Sequence, residues 1–339
     1  MVTATAPKVT LIVAMRNEAR HIEACLASIV AQRYDPSRLE VLVYDGGSDD
    51  GSTDLARRFT DRHAGWRLIP NPRGIQAAGW NAGIGEASGD IIGIVSGHAE
   101  LAPTYVTAAV EALRRSGADM VGGPVRAVGV GRMGQAVAVA TSTPFGVGGA
   151  GHHYATEART VDTVFMGLCW ADTYRRFPFD ERFVRNQDDE LSYRLLDAGG
   201  TIVCDPTIES RYWARASLAD LWRQYFAYGR WKVQVLRAHP RQARARHLAP
   251  ATLCVILGGG ALAAALVPAL WPPVAFTAAT YAAAVTAAAV VYGRSGGPAF
   301  VAALMATYPT LHLAYGGGML RGIVDLRPDQ QSQAGVKNR

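Results

Sequence analysis

Charge is almost absent from this 339-residue chain between Arg246 and Arg321. No Asp, Glu, Lys or Arg stands between Arg246 and Arg294, and none between Arg294 and Arg321. A water-soluble core does not need such gaps, and each is long enough to cross a bilayer. Cysteine is scarce. Cys25, Cys169, Cys204 and Cys254 are scattered and form no C-x-x-C pair, which argues against a disulfide framework and against a zinc site. A secretory leader is also lacking: MVTATAPK has no basic region followed by an apolar one, so the leading domain is expected to stay in a reducing cytoplasm.

What is present is lopsided. The length suits one α/β domain of about 240 residues followed by a membrane segment. The formal charge of +6 suggests nucleic acid at first sight, but its distribution excludes that as the main partner. Arg223, Arg230, Lys232, Arg237, Arg241, Arg244 and Arg246 cluster just ahead of the first apolar stretch, where a positive-inside anchor belongs.

Over the first hundred residues, apolar runs alternate with helical periodicity. Residues 9–14, 39–44, 66–69 and 91–95 read as strands. Helices are expected after the first strand, where Ile22, Cys25, Leu26, Ile29 and Val30 share one face, and near 53–64 and 75–87. This alternation predicts a mainly parallel sheet with right-handed crossovers. Ligands of such sheets bind beyond the carboxyl ends of the strands, which here carry Asn17, Asp45, Asp49, Ser96 and His98. From 120 to 215 the pattern loosens into short strands and Gly-rich loops, and 146–151 with His152-His153 reads as a mobile loop. Residues 183–199 resemble a helix opening on Asp188-Asp189-Glu190, which suits the positive end of a helix dipole.

Residues 218–237 interleave Trp222, Tyr225, Phe226, Tyr228 and Trp231 with Arg223, Arg230 and Lys232. That composition suits a helix in a membrane interface. The other reading is a packed helix of the leading domain. Three apolar stretches follow, 249–270, 272–292 and 299–320, each about 30 Å long as helix. Only Trp271-Pro272-Pro273 separates the first two, which predicts a tight hairpin. The basic cluster puts the leading domain inside, and Arg294 returns inside. A third crossing would carry Arg321, Arg327, Lys337 and Arg339 outward, so a re-entrant third segment is the alternative. Gly318 and Gly322 form a G-x-x-x-G packing pattern near its end. The expected organisation is a catalytic domain over 1–215, an interface region over 216–247, two to three transmembrane helices over 248–322 and a polar tail over 323–339.

The stretch richest in chemistry is Asp45-Gly46-Gly47-Ser48-Asp49-Asp50-Gly51-Ser52-Thr53. Taken alone it is a Gly-rich turn with helix caps. Preceded by an apolar strand and Asn17-Glu18, it resembles the N-terminal half of inverting family 2 glycosyltransferases. Asp45, Gly46, Ser48, Asp50, Gly51 and Ser52 match that family's D-G-x-S-x-D-G-[ST] position by position. Arg73-Gly74 and Asn81-Ala82-Gly83 resemble its next segment. The finer likeness, over nearly the whole chain, is to the membrane-anchored glucosyltransferases of succinoglycan-type exopolysaccharide assembly. The resemblance implies an α/β GT-A fold with C-terminal transmembrane helices, a nucleotide-sugar donor and a divalent metal, Mn²⁺ or Mg²⁺. It places donor contacts at Ala14, Arg16, Glu18, Asp45, Arg73, Asn81 and Ser96. A carboxylate at a strand end suits the imide edge of a base, and Asp45 is that candidate, with Ala14 and Arg16 as the rim.

In this family the fourth strand ends in D-x-D, or D-A-H in the succinoglycan-type branch, and holds the ion against the diphosphate. Here the stretch is Ser96-Gly97-His98-Ala99-Glu100. His98 matches the ligand position, Ser96 replaces the first Asp, and Glu100 is the candidate compensating ligand. A His–Glu set favours Mn²⁺; a lone His at a strand end is otherwise a hydrogen-bonded structural group. The family's E-D segment corresponds to Gln187-Asp188, which makes Asp188 the catalytic base and Asp189 the runner-up; the alternative is a plain acidic helix start. Gln224 to Trp231 has the composition of the Q-x-x-R-W element but not its spacing, which disfavours processive polymerisation. Arg230 and Trp231 are the candidates for holding a lipid diphosphate or headgroup.

The resemblance thus implies transfer of a hexose, UDP-linked by family habit, to a hydroxyl of a polyprenyl-diphosphate-linked glycan, in a multi-pass protein of the cytoplasmic membrane. Two other readings stay open. A polyprenyl-phosphate glycosyltransferase has an anionic acceptor and needs no strong base. A non-catalytic membrane scaffold is suggested by Ser96.

Overall fold

The computed structural model describes residues 6–325, which fall into two compact units. One comprises residues 6–126 and 154–212, the other 127–153 and 213–325. The segment 127–153, expected in the leading domain, therefore belongs with the C-terminal helices. Residues 326–339, with Arg327, Lys337, Arg339 and most of the expected polar tail, lie outside the described residues.

The first unit is built on four parallel strands in the order β3-β2-β1-β4. They are β1 (Val9–Met15), β2 (Leu39–Asp45), β3 (Trp66–Pro70) and β4 (Ile91–Ser96), joined through α1 (Ile22–Val30), α2 (Ser52–Thr60) and α3 (Gln76–Glu86). All seven residues of β1 are buried because helices cover both faces of the sheet. Side chains alternate across a strand, and the two faces sort accordingly. Val9, Leu11, Val13 and Met15 pack with Ile22, Leu26 and Ile29 of α1. Ile12 and Ala14 pack with Ala77, Trp80 and Ile84 of α3.

The chain continues through β5 (Ala99–Leu101), α4 (Tyr105–Ser116) and β6 (Met120–Gly123), then leaves along β7 (Val125–Val128) to form α5 (Gly131–Ala140) and α6 (Pro144–Val147) of the second unit. A short 3₁₀ turn, Gly151–His153, stands where a mobile loop was expected. On its return it adds β8 (Arg159–Thr160), β9 (Phe165–Trp170), α7 (Ala171–Arg176), α8 (Gln187–Asp197), β10 (Ile202–Cys204) and β11 (Ser210–Trp213). Strand β9 inserts antiparallel between β4 and β6, so the sheet is parallel in its first half and mixed in its second. Strand β11 pairs antiparallel with β5 beside the end of β4.

The second unit holds five longer helical segments: α9 (Leu218–Ala238), α10 (Ala245–Cys254) running through a π-helical turn into α11 (Gly260–Leu266), α12 (Trp271–Gly293) and α13 (Pro298–Val324). Two stretches, Ala245–Leu266 and Pro268–Gly296, are long and apolar enough to cross a membrane, with mean hydropathies of 1.9 and 1.8. A soluble core helix would bury its apolar side chains, yet Leu262, Leu266 and Phe276 are 75, 85 and 74% exposed. The expected third span, α13, is one continuous helix of 27 residues but falls outside those two stretches. It packs along α9, and the Gly318/Gly322 pattern is that contact. A Cβ on Gly318 would collide with the carbonyl oxygen of Phe226, and one on Gly322 with that of Arg230. Gly316 makes the same close approach to Pro250 of α10.

Candidate functional site

Because β1 to β4 are parallel, their carboxyl ends lie on one edge. The loops leaving β1 and β2 there are bound to each other by the serines and carboxylates of the motif. The N–H of Asn17 donates to Ser48 Oγ at 2.9 Å, that of Glu18 to Ser52 Oγ at 2.7 Å and that of Ala19 to Asp50 Oδ2 at 3.0 Å. Asn17 Oδ1 accepts in return from the N–H of Asp49 at 2.9 Å, with Asn17 itself in the left-handed region. Gly47 and Gly51 also have positive φ, which explains glycine at those two turns. Burial works to raise the Asp50 carboxyl, but donors from Ser52 and Ala19 outweigh it and hold the group below its ordinary range.

Asp45 closes β2. Its Oδ1 accepts from the Ser48 hydroxyl at 2.7 Å and the Ser48 N–H at 3.1 Å, and its Oδ2 from Thr53 Oγ1 at 2.6 Å. A carboxylate has about four lone-pair sites, so these three donors orient it and leave room for one more. Asp45 lines a cleft of about 510 Å³ together with Gly47, Asn71, Pro72, Trp66 and Arg57. Arg16 is exposed at the same edge and reaches Gly74 O at 3.4 Å. Ala14 is only 7% exposed and sits in the core against α3, so its side chain does not form an open rim.

At the end of β4, His98 Nδ1 stands 2.9 Å from Glu18 Oε1, and Ser96 Oγ lies 3.2 Å from His98 Nε2. The Tyr212 ring packs edge-on against the imidazole at 5.3 Å between centroids. A carboxylate can only accept, so Nδ1 carries the proton and Nε2 keeps its lone pair in the neutral ring. Glu18, expected at the donor, is thus the orienting partner of His98. Glu100 acts electrostatically on His21, as does Glu18. Burial leads the effects on His21 and lowers its pKa. Beneath this cluster the Cys25 thiol is pushed up to about 12 by burial, with Glu18 and Glu100 adding to the effect.

The acidic helix start is drawn to the same edge by side chains whose partners the sequence did not reveal. Gln187, the residue in place of the family's Glu, donates through Nε2 to Gln76 Oε1 at 2.9 Å and fastens the start of α8 to the start of α3. Asn81 clasps the segment before α8, accepting from the Phe179 N–H at 2.8 Å and donating to Phe179 O at 2.9 Å and Glu181 Oε1 at 3.0 Å. Arg73 forms an ion pair with Glu181. Arg73 and Asn81, expected at the donor, therefore position the segment that carries Asp188. Asp188 and Asp189 are half-buried in the first turn of α8, and Asp188 Oδ1 accepts the Asp189 N–H at 2.9 Å. Glu190 is buried in a two-pronged pair with Arg194, at 2.7 and 2.9 Å. Nothing local in the sequence marks these fasteners: Asn81 lies within α3, Gln187 opens α8 and Arg73 precedes α3, and each is defined by a distant partner.

In the second unit, Arg230 Nε donates to Asp325 Oδ2 at 2.5 Å, so this candidate lipid contact is held within the helix bundle. Trp231 follows it on α9 and is half-buried.

The glycosyl transferase family 2 profile matches residues 10–181, just over half the chain. The chain belongs to glycosyl transferase family 2. This transferase is 29% identical over 320 residues to the succinoglycan biosynthesis protein ExoA of Rhizobium meliloti, covering 94% of this chain and 95% of that one. It is 26% identical over 238 residues, 68% of this chain and 74% of the other, to a dolichyl N-acetyl-α-D-glucosaminyl phosphate 3-β-D-2,3-diacetamido-2,3-dideoxy-β-D-glucuronosyltransferase of Methanococcus voltae. Among solved structures, the mannosyltransferase PcManGT of Pyrobaculum calidifontis, in complex with GDP-Man and Mn²⁺, aligns over 96% of this transferase and 89% of its own chain. The TM-score is 0.60 at 20% identity, and the shared feature is the GT-A fold.

Among the described residues no group of three or more His, Cys, Asp and Glu is placed to hold an ion. The transferase offers His98 Nε2 beside the Ser96 hydroxyl, while Glu18 is committed to His98 Nδ1 on the other side of the ring. A single imidazole donor fits an ion of the Mg²⁺ or Mn²⁺ kind only where diphosphate oxygens and water complete its shell.

Proposed function

We propose that this family 2 glycosyltransferase moves a hexose from a nucleotide-sugar, UDP-linked, to a hydroxyl of a polyprenyl-diphosphate-linked glycan at the membrane, with inversion, in exopolysaccharide or glycolipid synthesis. The observation that carries the reading is the strand-end edge itself. Asp45 is oriented by three donors with one acceptor site left, and the start of α8, bearing Asp188, is fastened to that edge by Gln187 and Asn81. The whole-length likeness to ExoA supports the polysaccharide setting and the lipid-linked acceptor, and the exposed apolar stretches support a membrane site with the catalytic unit in the cytoplasm.

In this reading Asp45 takes the imide N–H of the base, and the exposed Arg16 guanidinium stands by the nucleotide. His98 Nε2, oriented by Glu18 through Nδ1, would hold a divalent ion, with Ser96 beside it and Glu100 of β5 as the candidate second ligand. When bound, that ion neutralises charge on the departing diphosphate. The acceptor hydroxyl attacks the anomeric carbon from the face opposite the diphosphate. Its proton passes to the Asp188 carboxylate as the C–O bond to the diphosphate breaks and the nucleotide leaves with the electron pair. Asp189, at the next position, is the second candidate base.

The test is transfer of radiolabelled sugar from UDP-hexoses into solvent-extractable lipid by washed membranes. Label appearing in a lipid that releases an oligosaccharide on mild acid, and lost in Asp188→Asn, supports the reading. Label on a single sugar bound directly to the lipid phosphate, retained in Asp188→Asn, favours a polyprenyl-phosphate transferase instead.

A further inference from the structure

The pairing of α9 with α13 fixes where the apolar tail ends. Contacts between them advance together along both chains: Phe226 with Gly318, Arg230 with Gly322, then Arg230 with Asp325. The two helices are therefore parallel and in step. At their shared end Asp325 is held by Arg230 at 2.5 Å and by Arg321 at 3.2 Å. Arg237 donates to the carbonyl oxygen of Ile323 at 2.8 Å and to that of Asp325 at 3.1 Å, capping the last turn of α13 from the side of α9. Gln234 Nε2 reaches the same Asp325 carbonyl at 3.4 Å. Groups within hydrogen-bond distance cannot stand on opposite sides of a hydrocarbon core about 30 Å thick.

We propose that everything between Arg241 and Asp325 crosses the bilayer an even number of times, so that the chain re-emerges on the membrane face that carries the basic end of α9. In this arrangement α13 is a companion of α9 and not a lone third span. Helix α9 bears Arg223, Arg230, Lys232 and Arg237 along its length, a composition that hydrocarbon disfavours strongly, and α13 shares whatever layer α9 occupies. The apolar excursion is left to the two exposed stretches, Ala245–Leu266 and Pro268–Gly296. The proposal rests on the membrane setting proposed above but not on the reaction.

It is tested by labelling the full chain in spheroplasts and in inside-out vesicles with a membrane-impermeant maleimide. One variant is Arg241→Cys, at an exposed position just after α9. The other carries a cysteine inserted directly after Asp325. Both are made with Cys254→Ser, since Cys25, Cys169 and Cys204 are buried. The expected result is that both cysteines label in the same preparation, at least tenfold more than in the other. Labelling in opposite preparations overturns the proposal. Because an insertion can disturb folding, the pair Arg237→Cys and Ile323→Cys serves as a second measurement. It is expected to be bridged in intact membranes by a bismaleimide much shorter than the hydrocarbon core is thick, and its failure to be bridged while each single cysteine reacts counts against the proposal. Release of the native protein by alkaline carbonate would overturn the membrane setting itself, which distinguishes the two failures.

Discussion

At the strand ends Ser48, Asp50 and Ser52 hold backbone N–H groups of a different loop, so their loss acts on position before it acts on chemistry. The Asp50 carboxyl has a depressed folded pKa, so its contribution to stability is complete above the unfolded value, about 3.9, and is lost as pH falls through the folded one. Thermal unfolding of the detergent-purified protein from pH 6 to pH 3 should therefore show a steeper fall in Tm for the native chain than for Asp50→Asn below pH 4. Parallel curves would remove this role. Asp188 stands in the first turn of α8 on the site edge and accepts the next backbone N–H, and its proposed role is chemical. Asp188→Asn should lower kcat by about 10² to 10⁴, the usual worth of a general base, with little change in donor KM. Steady-state kinetics check this, and a rise in KM with kcat unchanged would assign Asp188 to binding. The D-G-x-S-x-D-G-S spelling was legible because local turn chemistry and the cross-loop bonds use the same short side chains. The roles of Glu18, Arg73 and Asn81 were not, because each depends on a partner roughly 80 to 110 positions away in sequence, which local pattern cannot specify.

Among the elements, β1 to β4 and the helices between them could be placed from the sequence to within a residue or two, since each alternation of buried faces is local, except that α2 ends at Thr60, four residues short of the expected end. The antiparallel insertion of β9 and the assignment of α5 and α6 to the second unit had no such signal, being set by long-range pairing. In helix α13 close packing is written into the apolar run: Gly318 and Gly322 let α9 approach, and Gly316 admits α10. Replacing Gly318 by Leu puts a side chain where the Phe226 carbonyl already stands. It should destabilise the helical unit by about 3 kcal/mol or more, beyond ordinary overpacking, because backbone rather than a flexible side chain must give way. A Tm in detergent unchanged by the substitution would show that the two helices do not pack this closely.

For the whole molecule, the proposed reading joins the family 2 domain to apolar stretches that would confine it, with its acceptor, to a surface. Such confinement raises the local concentration of acceptor at the site, so that weak acceptor contacts suffice. The account depends on one thing above all: that the edge built from Asp45, His98 with Glu18, and Asp188 is a working nucleotide-sugar site although Ser96 stands where the family has Asp. The most direct measurement is nucleotide release by the detergent-purified full chain, with UDP-, GDP- and dTDP-sugars, Mn²⁺ or Mg²⁺, and membrane lipid extract as acceptor. His98→Ala and Asp188→Asn are run in parallel. The account predicts metal-dependent release of UDP from one donor, lost in both variants. No release from any donor in the presence of metal and acceptor, from a protein that is folded by Tm, would contradict it and leave a membrane scaffold with a transferase fold.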